Sequence, residues 1–228
     1  MCIQKLKNNK ATGLDQTTGE MLKSGGKPMI KQLTKMFNKI WSTNKNPTHF
    51  KSGVIVKIPK KGDLSNTNNW RGITLLSIPG KVLCGIIADR IRPAVDTILR
   101  EEQAGFRANR SCADQIFSLR RLIEKMKYKR RVLLINYIDF EKAFDSLHRD
   151  TLWNILRDYG IPAKIVDIIK DLYEGSECCV QVGDEYTTWF RIITGVRQGC
   201  ILSPLLFIIV IDWILKNALM EKRLNRNN

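Results

Sequence analysis

No cysteine pair in this chain has C-x-x-C spacing, and only two histidines, His49 and His148, accompany its six cysteines. Zinc fingers and zinc ribbons, which need four closely spaced Cys or His ligands, are thereby excluded. Cys2, Cys84, Cys112, Cys178, Cys179 and Cys200 read instead as reduced, mostly buried thiols. Long apolar runs are missing too. The longest, Leu205 to Ile211, lies between Pro204 and Asp212 and falls far short of the roughly 20 residues that a spanning helix needs. The N-terminus shows no positive stretch leading into an apolar core, so no secretory signal is expected. The expected location is intracellular, cytoplasmic or nuclear. Acids are scarce at the start, where Met1 to Lys61 holds 13 lysines against Asp15 and Glu20 alone.

The whole chain carries 38 Lys and Arg against 22 Asp and Glu, a net charge of +16 over 228 residues. A basic excess of this size suits a polyanionic partner, nucleic acid or an anionic membrane, although it also serves solubility alone. A membrane binder would set its lysines along one face of an amphipathic helix. Here the lysines look scattered through turn-rich sequence, which favours nucleic acid and no membrane partner. The length allows one large domain or two small ones with ample core.

Periodicity sketches the elements. Leu33, Met36, Phe37 and Ile40 recur at helix spacing, and Val54 to Ile58 is a β-branched strand closed by Pro59 and a basic turn, Lys60-Lys61-Gly62-Asp63. Asn66 to Gly72 reads as a polar loop. Val82, Leu83, Ile86, Ile87 and Ile91 describe a helix ending near Pro93, and Ser111 with Asp114 forms a capping pattern ahead of the stripe Ile116, Leu119, Ile123 and Met126. That helix runs into Lys125 to Arg131, five bases in seven residues, a run that a solvated helix end also favours. Asp150 can cap a helix bearing Leu152, Ile155, Leu156 and Tyr159, with Gly160 and Pro162 as its stop. Ile165, Ile168, Ile169 and Leu172 follow on a second helix ending at Gly175. Cys178 to Val182 and Tyr186 to Ile193 flank Gly183-Asp184 as a hairpin, and a last helix starts after Ser203-Pro204. Helices and strands mix without regular βαβ alternation, so the expected class is α+β rather than a doubly wound parallel sheet.

The chemistry centres on Arg131 to Asp145, RVLLINYIDFEKAFD. Asp139 follows the apolar run Val132 to Ile135, and a carboxylate where a strand ends suits Mg²⁺, which takes hard oxygen ligands and only one or two carboxylates besides substrate phosphates. Taken alone the residue is ambiguous. It could equally cap a following turn or act as a phosphate-accepting nucleophile. A phosphatase-like reading is weakened by Glu141, which stands where the second aspartate of such a site would be.

Company narrows the choice. NWRGITLLSIPGK (Asn69 to Lys81), EEQAGFRANRSCADQ (Glu101 to Gln115), YIDFEKAFD (Tyr137 to Asp145) and GVRQGCILSPLLF (Gly195 to Phe207) occur in that order, and together the sequence from about Leu6 to Leu215 resembles the reverse transcriptase domain of non-LTR, LINE-type retrotransposons. The resemblance implies a right-hand polymerase fold, with fingers over 1–130, an incomplete palm over 131–228, and no thumb. It implies two Mg²⁺ ions, an RNA template, a DNA primer and dNTP as partners, and leaves the oligomeric state open. By the same resemblance Asp139 is the first metal-binding aspartate, with the backbone carbonyl of Phe140 as a further ligand. Phe144 stands where an aromatic ring discriminates deoxyribose from ribose, although a Phe at that step also suits a core. Arg71 matches the arginine that grips the triphosphate, with Lys60 or Lys61, or else Lys57, as a second phosphate contact. Gln198 and Gly199 match the turn lining the nucleotide pocket. Asp145 is expected to fix its turn rather than hold metal.

Three positions depart from the family pattern: Thr12, Gly72 and Ile201 each stand where a proline is common. None removes a catalytic group. The larger departure is that the Tyr/Phe-Ala-Asp-Asp motif, which supplies the remaining metal ligands, is not found. Past Pro204 the only acids are Asp212 and Glu221. The chain is therefore expected to be a polymerase domain inactive by itself, or a non-catalytic nucleic-acid-binding remnant of one.

Overall fold

The computed structural model describes residues 2–224, with side-chain environments for residues 2–218. Its centre is a mixed sheet in the order β2-β1-β3-β4, with β5 also on β3. β1 (Ser52–Pro59) and β2 (Trp70–Leu76) pair antiparallel, placing Ile58 opposite Arg71 and Lys57 opposite Gly72. β1 then pairs parallel with β3 (Glu177–Val182), more than a hundred residues later, with Gly53 opposite Cys178. β4 (Glu185–Tyr186) and β5 (Phe190–Arg191) both lie antiparallel to β3, so the second arm of the expected hairpin is interrupted between them. Helices and sheet combine as an α+β fold.

The helices supply most of the core. α1 (Gly19–Ser24) is capped by Thr18, whose hydroxyl accepts from the Met21 N–H at 3.1 Å. α2 (Gly26–Thr43) buries Leu33 and Ile40 and ends at Asn44 in the left-handed region. A short turn of helix, α3 (Thr48–Lys51), delivers Phe50 to the core. α4 (Ile78–Ile98), α6 (Arg149–Asp158), α7 (Ala163–Tyr173) and α8 (Ser203–Leu224) pack into one apolar cluster in which Leu156, Val166, Ile169, Leu202, Leu206 and Ile209 are wholly enclosed. A smaller cluster joins Ile3, Leu22, Leu33, Ile78 and Val82.

Several expectations need correction. Asn66 to Gly72 is not loop throughout, because β2 begins at Trp70. Backbone pairing to β1 carries it through Gly72, a position where a Cβ would meet Ile55 at 2.9 Å. α4 does not stop near Pro93. It runs five residues further, because burying Ile91, Val95 and Leu99 in the core outweighs the hydrogen bond that proline removes. Asp150 lies inside the first turn of α6, and the cap is His148, which accepts from the Thr151 N–H.

The largest correction concerns Val132 to Ile135. No strand forms there; residues 131–140 have no regular secondary structure and no ladder partners among the described residues. Leu134 is 88 % exposed and Val132 82 %. A strand requires a neighbour's N–H and C=O groups as well as a suitable sequence, and none is alongside. α5 (Cys112–Tyr128) has the predicted capping box of Ser111 and Asp114, yet its apolar stripe is not buried, with Ile116 68 % exposed. The lysines are also not all scattered: Lys27, Lys31, Lys35 and Lys39 share the outer side of α2.

Candidate nucleotide-binding cleft

A cleft of about 860 Å³ opens between the β1–β2 end of the sheet, the turn at Glu141–Asp145 and the segment Arg197–Pro204. Lys60, Arg71, Phe144, Gln198 and Gly199 all line it. They come from four separate stretches of sequence, and the fold joins them through backbone. The Thr74 N–H donates to the Gln198 carbonyl at 2.9 Å, which ties the Arg197–Cys200 segment to β2. Val196 N–H donates to the Phe144 carbonyl at 2.7 Å, and Gly195 N–H to that of Leu147 at 2.8 Å, which ties the same segment to the other wall.

Two glycines make this possible. Gly199 has φ +109°, and a Cβ there would sit 2.5 Å from the Thr74 carbonyl oxygen. Gly195 has φ +73°, and a Cβ would lie 2.6 Å from Asp145 Cα and the Phe144 oxygen. Both approaches are too close for any side chain. The close backbone approach at Gly199 is made to β2.

On the basic wall, Arg71 is an exposed side chain projecting from β2, with no acid paired to it among the described residues. Lys60 is anchored by its own N–H to the Asn69 carbonyl at 2.7 Å, and its ammonium reaches the Asn68 carbonyl at 3.0 Å. Of the three candidate lysines it alone faces the cleft. Lys61 is not part of the lining, and Lys57 sits over the Trp70 ring at 5.1 Å, a cation–π contact. Thr67, Asn68 and Trp70 are lining residues that the sequence did not single out. The sequence signal for them was a polar loop, and only pairing of β2 with β1 turns it toward the cleft.

On the opposite wall Phe144 both packs against other rings and lines the cleft. Its ring stacks on Phe207 at 5.0 Å and meets Phe106 edge-on at 6.5 Å, while one face borders the cleft. Gln198 donates its side-chain amide to both Asp145 carboxylate oxygens at 3.1 Å. The turn itself closes on Lys142, at φ +47°, whose carbonyl accepts from Asp145 N–H at 2.8 Å. Asp139 and Phe140 are not among the cleft walls. Asp139 is exposed on the irregular segment, and Phe140 borders a separate apolar hollow with Leu147, Leu152 and Phe207. No group of three or more His, Cys, Asp or Glu side chains converges on a common point among the described residues. The two expected donors, one carboxylate and one carbonyl, would be too few for a pair of Mg²⁺ ions, and the carboxylates that do border the cleft are Glu141 and Asp145.

Beneath the cleft floor lies an unusual thiol pair. Cys200 borders the cleft and is 3.7 Å from Cys84, both buried. Beside them Arg197 is enclosed, donating to the Phe50 carbonyl at 2.8 Å with its guanidinium 5.0 Å from the Tyr173 ring centre. The hydrogen bond with Cys84 and the Arg197 charge, against burial, hold the Cys200 thiol below its ordinary range and leave Cys84 well above it. A depressed thiol pKa stabilises the fold fully above its unfolded value, ~8.5, and that contribution is lost as pH falls through the folded value. Urea unfolding midpoints should therefore rise as pH climbs toward ~8.5. In Cys200→Ser that rise should flatten; an unchanged slope would remove the thiolate from this account.

The chain belongs to the reverse transcriptase (RNA-dependent DNA polymerase) family, whose model matches residues 58–225. Its relatives are proteins of non-LTR retrotransposons. It is 28% identical over 222 residues to the "Transposon TX1 uncharacterized 149 kDa protein" of Xenopus laevis, covering 97% of this chain and 17% of the relative. With the "Retrovirus-related Pol polyprotein from type-2 retrotransposable element R2DM" of Drosophila melanogaster it is 32% identical over 167 residues, covering 73% and 16%. The chain thus spans about a sixth of the length of these relatives. The fold is similar to a solved structure titled "Partial Cas6-RT-Cas1--Cas2 complex", with TM-score 0.51 and 18% identity over 92% of this chain and 31% of that one. It is also similar to "Structure of apo telomerase from Candida Tropicalis truncated from C-terminal domain", with TM-score 0.52 and 16% identity over 83% and 44%. No helix among the described residues is long and apolar enough to cross a membrane.

Proposed function

We propose that this chain forms the fingers (1–130) and part of the palm (131–228) of an RNA-directed DNA polymerase, and that its cleft receives the incoming dNTP. The observation that carries the reading is the convergence of Lys60, Arg71, Phe144, Gln198 and Gly199 on one cleft. The reaction is attack of a primer 3′-hydroxyl on the α-phosphate of the dNTP, with RNA as template. Arg71 offers a planar, permanently charged donor to the triphosphate, and Lys60 a second positive charge. Phe144, held by Phe207, sets a rigid ring where a sugar 2′-hydroxyl would need room. Gln198, pinned by Asp145, shapes the floor. The Mg²⁺ ions that such transfer employs need donors beyond Asp139 and the Phe140 carbonyl, so this chain requires further carboxylates to turn over.

Primer extension on an RNA template with Mg²⁺ tests this. The 228-residue chain is expected to give no product, whereas a version extended by a segment bearing the Tyr/Phe-Ala-Asp-Asp motif should synthesise DNA and lose about 10²- to 10³-fold in Asp139→Ala, in line with loss of an electrostatic group at a transferring phosphate. Robust synthesis by the short chain, abolished by Asp139→Ala, would overturn the need for further donors. A second reading, a non-catalytic binding remnant, is favoured by the isolation of Asp139. It is supported if the extended chain binds RNA yet makes no product.

A further inference from the structure

Helix α2 is unusual among the helices in what it omits. Gly26–Thr43 contains no Asp or Glu, and carries lysine at every fourth position: Lys27, Lys31, Lys35 and Lys39. All four are exposed, and none is in an ion pair among the described residues. Like charges four residues apart repel along a helix, so the row works against the helix that holds it. Other charged helices here carry compensation: Arg120 and Arg121 pair with Glu124 on α5, and Lys216 pairs with Asp212 on α8. An anionic partner lying against the row would relieve that repulsion.

We propose that α2 is a docking track for the sugar-phosphate backbone of a nucleic-acid strand, with each lysine contacting one phosphate. Successive lysines rise by ~6 Å and turn by about 40°, so the row follows a shallow spiral about 18 Å long on one side of the helix. Flexible lysine stems let each ammonium find its own phosphate. The opposite side of the helix faces the core, where Leu33 and Ile40 are buried and Met36 and Phe37 pack against the apolar clusters. That arrangement decides between the two polyanions. A membrane-surface helix inserts its apolar face into lipid, and the apolar face of α2 is already used. None of the four lysines lines the nucleotide cleft, so the track contacts nucleic acid away from the dNTP. Contacts of this kind hold a strand without reading its sequence.

The inference rests on the polymerase reading for its partner and is separable from it by experiment. Fluorescence anisotropy of a labelled 20-nucleotide single-stranded RNA would be followed against NaCl for the whole chain, for K27Q/K31Q/K35Q/K39Q, and for a variant with four bases removed from α5 and its end (Lys125, Lys127, Lys129 and Arg130, each to Gln). Four phosphate contacts contribute about 2.8 to the slope of log affinity on log salt for a single strand, equal to about a 50-fold share of the fall between 50 and 200 mM. The α2 variant should lose that share of the slope, and the α5 variant, with the same change of charge, should lose much less. Circular dichroism checks that the α2 helix survives; removing mutual repulsion gives no reason for it to melt. Equal losses in the two variants would mean net charge alone and would overturn the track. So would unchanged RNA binding in the α2 variant, or a loss seen only for vesicles of phosphatidylcholine and phosphatidylserine. Binding of a fluorescent dNTP, sensitive to Arg71→Ala, is measured in parallel. If that response holds while the α2 variant binds RNA normally, the track fails and the cleft assignment stands.

Discussion

Asp212→Ala is expected to cost this chain about 3 to 5 kcal/mol of stability at neutral pH, the usual result of removing one partner from a buried charge cluster. Asp212 has no exposed surface and sits on α8 against α4 and α6. Its carboxylate accepts from Tyr159 Oη at 2.6 Å and from the Arg100 N–H and Nε at 3.2 and 3.0 Å, with Lys216 at 3.2 Å. Burial pushes the Asp212 carboxyl up, but the hydrogen bonds from Tyr159, Arg100 and Lys216 outweigh it and hold the group below the ordinary carboxylate range. Tyr159 responds in the opposite sense, raised by burial and then by its bond to Asp212. A carboxylate with a depressed folded pKa stabilises the fold fully above its unfolded value of about 3.9, and the contribution is lost as pH falls through the folded value. The deficit of the variant should therefore be largest at pH 7 and narrow below pH 4. Urea unfolding at both pH values reads this directly; a deficit that stays constant with pH would mean the side chain acts through packing alone. Asp212 is thus a structural acid, tying the C-terminal end of α4 to α8.

Arg71→Ala should weaken triphosphate binding in the cleft by about 10- to 100-fold, the equivalent of one charge-assisted hydrogen bond of roughly 1.5 to 3 kcal/mol. The side chain is exposed and lies on β2 opposite Ile58, so its loss should leave the unfolding midpoint unmoved. Arg71→Lys should recover only part of the affinity, because an ammonium lacks the planar fork that meets two phosphate oxygens at once. Titration of a fluorescent dNTP against the three proteins distinguishes these outcomes. Equal affinity in all of them would remove Arg71 from the site, and a drop accompanied by unfolding would assign it to structure. Lys60→Ala should show a smaller loss, since its ammonium already has the Asn68 carbonyl as a partner.

Much of this was legible before any coordinates. Helix periodicity found α2, α6 and α7, whose apolar faces are buried as the spacing requires; the mix of helices and strands without βαβ alternation carried the α+β class, and four ordered motifs carried the family. What failed did so for identifiable reasons. The Val132 to Ile135 run has strand composition but no neighbouring backbone to pair with, and the stripe on α5 has helix periodicity but no packing partner among the described residues. Pro93 looks like a stop, yet the apolar residues beyond it keep α4 intact. In each case local preference competed with a long-range term that the local sequence does not contain.

The same division runs through the candidate site. The sequence by itself determined which residue types are available: a guanidinium at 71, a ring at 144, an amide at 198, and glycines at 195 and 199 where nothing larger fits. It also determined the charge excess that calls for a polyanion. Only the tertiary structure decided that Lys60 rather than Lys61 or Lys57 borders the cleft, and that Asp145 holds Gln198. It also placed four lysines along one outer face of α2. The outcomes in the cleft depend on β1 pairing with β2 and β3 and on the Gln198–Thr74 hydrogen bond, contacts between residues far apart in the chain. Composition and spacing specify chemistry one residue at a time, whereas a site requires several to meet, and that is settled by packing.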